Sequence, residues 1–174
     1  SQEAAQAPEP KQERTEQTVA AAPKGNERLV LAFGDSLYAG YQLEQDQSFP
    51  SVLQRELETR GIPAQVVNGG VSGDTTAAGL ARLAFTLDGL PRKPDLAIVG
   101  LGANDALRGV DPAETRKNLE AILAELDGRG IPVMLTGMMA PRNLGGDYSS
   151  RFDAIYPDLA KRYDAPLDAF FLEG

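Results

Sequence analysis

Short apolar runs alternate with amphipathic stretches from residue 28 onward, and the two periods predict strands and helices in turn. Arg28–Phe33 (RLVLAF) reads as a first strand, stopped by Gly34. Ser48-Phe49-Pro50 opens a helix, with serine as N-cap and proline in the first turn, and Gly61 closes it. The apolar residues of this helix, Phe49, Val52, Leu53 and Leu57, are expected to share the face that covers a sheet. Ala64–Val67 predicts a second strand, and Thr76–Leu87 a helix whose Leu80, Leu83, Ala84 and Leu87 keep helical spacing.

Asp95–Leu101 is apolar at nearly every position, as buried parallel strands are. Asp111-Pro112-Ala113-Glu114 joins an N-cap, a first-turn proline and a glutamate three residues on, so a helix starts there and runs to Leu126 with Leu119, Ile122, Leu123 and Leu126 facing inward. Pro132–Thr136 is the fourth strand, Phe152–Tyr163 a helix and Leu167–Leu172 the fifth strand. Strands and helices that alternate with crossover-length connections imply an α/β fold: a five-stranded parallel sheet with helices on both faces, a three-layer α/β/α sandwich. The expected strand order is flavodoxin-like, 2-1-3-4-5.

Residues 1–26 stand apart. They are rich in Ala, Gln, Glu, Pro and Lys, with almost no large apolar side chain, and read as a flexible tether ahead of a domain spanning 27–174. A tether of this kind suits a protein that is exported (periplasmic or secreted) or held at a membrane surface, including one lipid-anchored through a removed N-terminal segment, although a remnant of cloning reads alike. The longest apolar runs are strand-sized, so no membrane span is expected.

Composition narrows the chemistry. The net charge of −8 disfavours nucleic acid and anionic membranes as general partners. The chain has no cysteine, which removes disulfides, thiolate metal sites and cysteine nucleophiles, and no histidine, which removes the usual base for a serine nucleophile. Neither a metal nor an organic cofactor is expected.

Three strand ends carry the polar residues of interest: Gly34-Asp35-Ser36, Asn68–Thr76 (NGGVSGDTT) and Gly100–Asp105 (GLGAND). Ligands of open α/β sheets bind beyond the carboxyl ends of the strands. Ser36 is the candidate nucleophile, although a serine at such a turn more often caps a helix. The Gly73 N–H, in a loop whose Gly69 and Gly70 also permit close backbone approach, is a candidate oxyanion donor, and so is the Asn104 side-chain amide. A plain turn glycine and a local cap are the alternatives. Asp35, Asp105 and Asn68 read as residues that fix the turns. No phosphate-cradling G-x-x-x-x-G-K-[ST] loop is present, and the G-x-S-x-G elbow is absent.

Taken together, Gly34-Asp35-Ser36-Leu37, Gly73 within NGGVSGDTT and Asn104 within GLGAND resemble, in order and spacing, the GDSL or SGNH hydrolase family, and in particular its thioesterase I/arylesterase branch. The resemblance runs from about Glu27 to Gly174 and takes in Met138–Tyr148 (MMAPRNLGGDY), similar to the segment that lines the acyl pocket there. It implies an SGNH hydrolase fold and a serine esterase or thioesterase working through an acyl-enzyme. Ser36 would attack the carbonyl, and the Ser36 and Gly73 N–H groups with the Asn104 side chain would hold the oxyanion. Leu37, Tyr38, Leu107, Leu144 and Tyr148 would contact the acyl or aryl group of a small ester or thioester substrate.

The resemblance also implies a catalytic Asp and His in a D-x-x-H block beyond the fifth strand, followed by a last helix. The sequence given reaches Phe170-Phe171-Leu172-Glu173-Gly174 before such a block. The expectation is therefore a chain that is nearly inactive alone and is complemented by a C-terminal fragment. A non-catalytic acyl-binding module on the same scaffold is the competing expectation, and a receiver or nucleotide-binding domain is a third.

Overall fold

One parallel sheet organises the domain, with strand order β2-β1-β3-β4-β5, the order expected from the sequence. The computed structural model describes residues 27–35 and 49–168. Its strands are β1 (Arg28–Gly34), β2 (Ala64–Gly70), β3 (Leu96–Gly100), β4 (Val133–Thr136) and β5 (Leu167–Asp168). The helices are α1 (Phe49–Thr59), α2 (Thr76–Asp88), α3 (Ala103–Leu107), α4 (Pro112–Gly128) and α5 (Gly146–Arg162), with a 3₁₀ turn at Arg142–Leu144. The fold is the three-layer α/β/α sandwich expected from the sequence, with helices packed on both faces of the sheet. Residues 1–26 and the remainder of the expected fifth strand, 169–172, lie outside the described residues.

Alternation along β1 separates the two faces of the sheet. Leu31 and Phe33 join Ala97, Val99 and Leu135 in a large core with Leu83 and Leu87 of α2, Leu119, Ile122, Leu123 and Leu126 of α4, and Phe152, Ile155, Tyr156 and Leu159 of α5. Val30, Ala32 and Ile98 point the other way and pack with Leu53 of α1, Val66, Leu96 and Met134. Each fully buried leucine on the larger face contributes roughly 1.5–3 kcal/mol. Helix α4 starts where the sequence places it, with the Asp111 carboxylate accepting from Ala113 N (2.9 Å) and proline in the first turn.

Several expectations change. Val52 is 46% exposed rather than inward. Leu53 and Leu57 are half-buried and Gln54 Oε1 accepts from Val66 N (3.1 Å), so the sheet-facing stripe of α1 runs through 53, 54 and 57 and turns Val52 about 100° away. Ala84 of α2 is exposed as well, and Gly79 takes an inward place instead. A Cβ at Gly79 would lie 2.5 Å from Leu101 Cδ1, so the glycine lets α2 approach the end of β3. Helix α5 starts six residues earlier than expected, at Gly146, which makes the end of the 138–148 segment helical.

Strand β2 continues through Asn68-Gly69-Gly70, so the first three residues of the Asn68–Thr76 stretch belong to the sheet. Gly69 faces protein rather than a ligand: its Cβ would sit 3.0 Å from Leu31 Cδ1 and 3.1 Å from Ala32 O. Close packing against β1 is its role.

Candidate active site

Strand register brings the three polar stretches together. Gly34 pairs with Gly70 on one side and Gly100 on the other, so β1, β2 and β3 release their loops from a single row of glycines. Ser36, Leu37 and Tyr38 lie outside the described residues. Asp35, next after Gly34, is buried.

The β2–α2 loop is tied to β1 from its first residue. Val71 N donates to Gly34 O (3.1 Å), and Asp74 N donates to Val71 O (3.2 Å), closing a turn with Gly73 at its third position. Gly73 has φ +81°, the left-handed geometry that a type II turn demands there, and open space where a Cβ would be. Glycine is required here by backbone conformation, and its exposed position leaves the surrounding space to a ligand.

Asn104 lies on α3, a five-residue helix that the sequence did not predict. Its Nδ2 donates to Asp74 O (3.0 Å), which docks α3 on the residue after Gly73. An amide NH₂ has two hydrogens, so one remains for a second acceptor. The Gly73 turn and the Asn104 amide are therefore brought close together.

Asp105, beside Asn104, faces inward. Its Oδ1 accepts from Thr76 N (2.8 Å), and its Oδ2 from the hydroxyls of Thr76 (2.5 Å) and Thr115 (2.8 Å), joining α2, α3 and α4. It fixes the turn, as does Asn68, whose Oδ1 accepts from Gly70 N (2.8 Å). Gly102 enters α3 at φ +124°, and a Cβ there would overlap the Tyr156 hydroxyl at 1.9 Å. That hydroxyl donates to Leu101 O (2.7 Å). Burial pushes the Tyr156 hydroxyl well above its ordinary pKa, with Asp105 adding to the shift, so it stays a proton donor at neutral pH.

One further residue was not singled out from the sequence. Arg82 of α2 donates from Nε to Asp74 Oδ2 (2.5 Å) and from Nη2 to Gly34 O (3.0 Å), and its guanidinium lies 4.2 Å from the centre of the Phe33 ring. An Arg eight residues after an Asp is two helical turns away, an unremarkable spacing in sequence.

The expected substrate contacts separate. Leu107, at the end of α3, is exposed, and Leu144, in the 3₁₀ turn, is at the edge of exposure. Tyr148 is half-buried: its hydroxyl donates to Val110 O (2.5 Å) and its ring stacks on Phe152. Tyr148 thus joins α5 to the segment after α3, and burial raises the pKa of its hydroxyl. Among the described residues no group of three or more His, Cys, Asp or Glu side chains is placed to hold a metal ion.

A parallel α/β/α sandwich whose loops after β1, β2 and β3 leave a single row of strand ends defines the class: an SGNH-type hydrolase scaffold. The model of the GDSL-like Lipase/Acylhydrolase family matches residues 32–173, and the chain belongs to that family. It is 43% identical over 155 residues to an arylesterase of Vibrio mimicus, covering 89% of this chain and 76% of that protein. It is 39% identical over 144 residues to the thioesterase 1/protease 1/lysophospholipase L1 of Escherichia coli (strain K12), covering 83% and 67%. Among solved structures, AlinE4, an SGNH-hydrolase family esterase, aligns with a TM-score of 0.84 at 58% identity over 86% of this chain and 79% of AlinE4.

Proposed function

We propose that the domain is a serine-dependent esterase or thioesterase for small carboxylic esters, with Ser36 as nucleophile and the Ser36 N–H, Gly73 N–H and Asn104 Nδ2 as oxyanion donors. The observation that carries this is the row Gly70–Gly34–Gly100, in which the strands that precede Gly73, Ser36 and Asn104 in sequence end side by side. Membership of an acylhydrolase family, and relatives that are esterases, support it.

In the first step Ser36 Oγ bonds to the carbonyl carbon and gives up its proton to a base. Collapse of the tetrahedral oxyanion breaks the C–O or C–S bond, and the leaving group departs with a proton. Water then adds to the acyl-enzyme, releasing the acid and restoring the hydroxyl. Negative charge develops on the carbonyl oxygen in both steps, and fixed donors aimed at it lower the barrier by roughly 3 kcal/mol each. Leu107, Leu144 and the Tyr148 ring are proposed to contact the acyl or aryl group, together with Leu37 and Tyr38.

The 174 residues contain no histidine, and the base for Ser36 is proposed to be an imidazole outside them. Loss of one triad member in a serine protease leaves about 10³–10⁴-fold acceleration over water, and slow turnover of this order is proposed for the chain alone. A C-terminal segment supplying Asp and His is proposed to complete it, in a periplasmic or secreted setting.

Labelling with a fluorophosphonate, followed by intact-mass and peptide analysis, tests the assignment. Modification is expected at Ser36 alone, slowly without and rapidly with a synthetic segment bearing D-x-x-H, and not in Ser36→Ala. No labelling in either condition would favour an acyl-binding module instead. Turnover of a nitrophenyl ester by the chain alone at ordinary enzyme rates would overturn the part concerning the base.

A further inference from the structure

We infer that Arg82 and Asp74 form a clamp that sets the oxyanion loop against the nucleophile strand, making Arg82 a positioning residue for the reaction; this rests on the serine-esterase assignment above. Arg82 reaches two segments with two different nitrogens: Nε to the Asp74 carboxylate on the β2–α2 loop, and Nη2 to the Gly34 carbonyl two residues before Ser36. A planar guanidinium holds two acceptors at a fixed separation, which an ammonium on a flexible stem does not. The Phe33 ring beneath it, 4.2 Å from the guanidinium carbon, limits its remaining freedom.

Asp74 is the junction. Its carboxylate takes Arg82, its carbonyl takes Asn104 Nδ2, and its own N–H closes the turn around Gly73. Gly34 O is a second junction, accepting from both Arg82 and Val71 N. The proposed oxyanion donors Gly73 and Asn104 are thus adjacent to, or bonded to, one residue that Arg82 holds. Gly73 has no side chain of its own to anchor it; besides the turn bond its carbonyl accepts from Arg108 Nη2 (3.4 Å), a more exposed tie than the Arg82–Asp74 pair. The pair is mostly shielded from water, with side-chain exposures of 19% for Arg82 and 12% for Asp74, unlike most ion pairs of the described residues. Screening weakens it less than those.

Fluorophosphonate labelling at pH 9, where hydroxide serves as base, gives a rate for the full chain. Ser36 Oγ bonds to phosphorus, the P–F bond breaks, fluoride leaves and the serine proton goes to solvent. The clamp predicts that Arg82→Lys retains the far-UV spectrum and a thermal midpoint near wild type, yet labels roughly ten- to a hundredfold more slowly, the scale of misplacing a reacting group. Asp74→Asn, whose amide oxygen still accepts from Nε, is expected to lose less than Asp74→Ala. The ¹⁵N–¹H signals of Gly73 and the Asn104 side chain shift in the Arg82 variants. Wild-type labelling rates in folded Arg82→Lys and Arg82→Ala, or losses that merely follow the folded fraction while the Gly73 and Asn104 signals stay put, overturn the clamp and leave the esterase assignment standing. Failure of the wild-type chain to label at Ser36 overturns both.

Discussion

The two ends of the sheet use the same pair of residue types for different ends. At the amino end, Asp95 accepts from Leu29 N (2.8 Å) and from Arg92 Nη2 (2.9 Å), and Arg92 also donates to Glu27 O (3.0 Å). This pair is about a third exposed and lies beside β1 and β3 without reaching any loop of the candidate site. At the carboxyl end, Arg82 and Asp74 make a similar set of bonds but are mostly shielded, and they connect to Gly34, Gly73 and Asn104. An exposed pair staples two strands and is worth about 0–1 kcal/mol, whereas a shielded one holds a geometry and is costly to break on one side. The lesson is that location in the fold, not residue type, decides whether an Arg–Asp pair is structural or positional.

The comparison is sharpest at the carboxyl end, where backbone geometry is least forgiving. Gly102→Ala combines a positive φ with a Cβ driven into the Tyr156 hydroxyl, and is expected to cost about 4 kcal/mol or more in urea unfolding. Tyr156→Phe in the same background recovers part of that loss, because the hydroxyl is the nearest clashing atom. A near-neutral Gly102→Ala would mean that the entry to α3 is far more plastic than its packing indicates.

Asp105→Ala comes next, at about 3 kcal/mol, since it strands the Thr76 N–H and two threonine hydroxyls in the interior. Asp105→Asn keeps one acceptor oxygen and should lose about half as much. Equal stability of all three proteins by calorimetry would deny the residue its part in joining α2, α3 and α4.

The smallest effect belongs to the amino end. Asp95→Ala removes the acceptor for Leu29 N and is expected to cost about 1 kcal/mol, with no change in Ser36 labelling. The Arg92 hydrogen bond, followed by the Leu29 N–H, lowers the folded-state pKa of Asp95. A lowered folded value means that its contribution is present above the unfolded carboxylate value of about 3.9 and fades as pH falls through the folded one. The stability difference between wild type and Asp95→Ala should therefore shrink in acid below about pH 4. A gap that widens on acidification, or slower labelling in this variant, would erase the distinction between the two ends.

The strands and the inward faces of α4 and of most of α2 were legible because buried parallel strands are uniformly apolar and helices keep a 3.6 period. That pattern does not encode the order of the strands, for which 2-1-3-4-5 was an expectation by analogy that the sheet matches. The β2 boundary was not legible: Asn68-Gly69-Gly70 has loop chemistry, yet Gly69 serves as a close-packing position on β1. Helix α3 escaped notice because five residues carry too little periodicity to register. Within the site, Gly73 and Asn104 could be singled out as strand-end residues, while Arg82 could not, because its importance lies in two long-range bonds to Asp74 and Gly34. Tyr148 carried a plausible aromatic signal for substrate, but its hydroxyl is committed to Val110 O.

The central claim is that the Ser36, Gly73 and Asn104 segments converge to hold one oxyanion, and the most direct test is a crystal structure of the phosphonylated chain. The account predicts a phosphonyl oxygen on Ser36 lying about 2.7–3.1 Å from both Gly73 N and Asn104 Nδ2, with the Asn104 bond to Asp74 O retained. A phosphonyl oxygen directed into solvent, with neither Gly73 N nor Asn104 Nδ2 in reach, would contradict it.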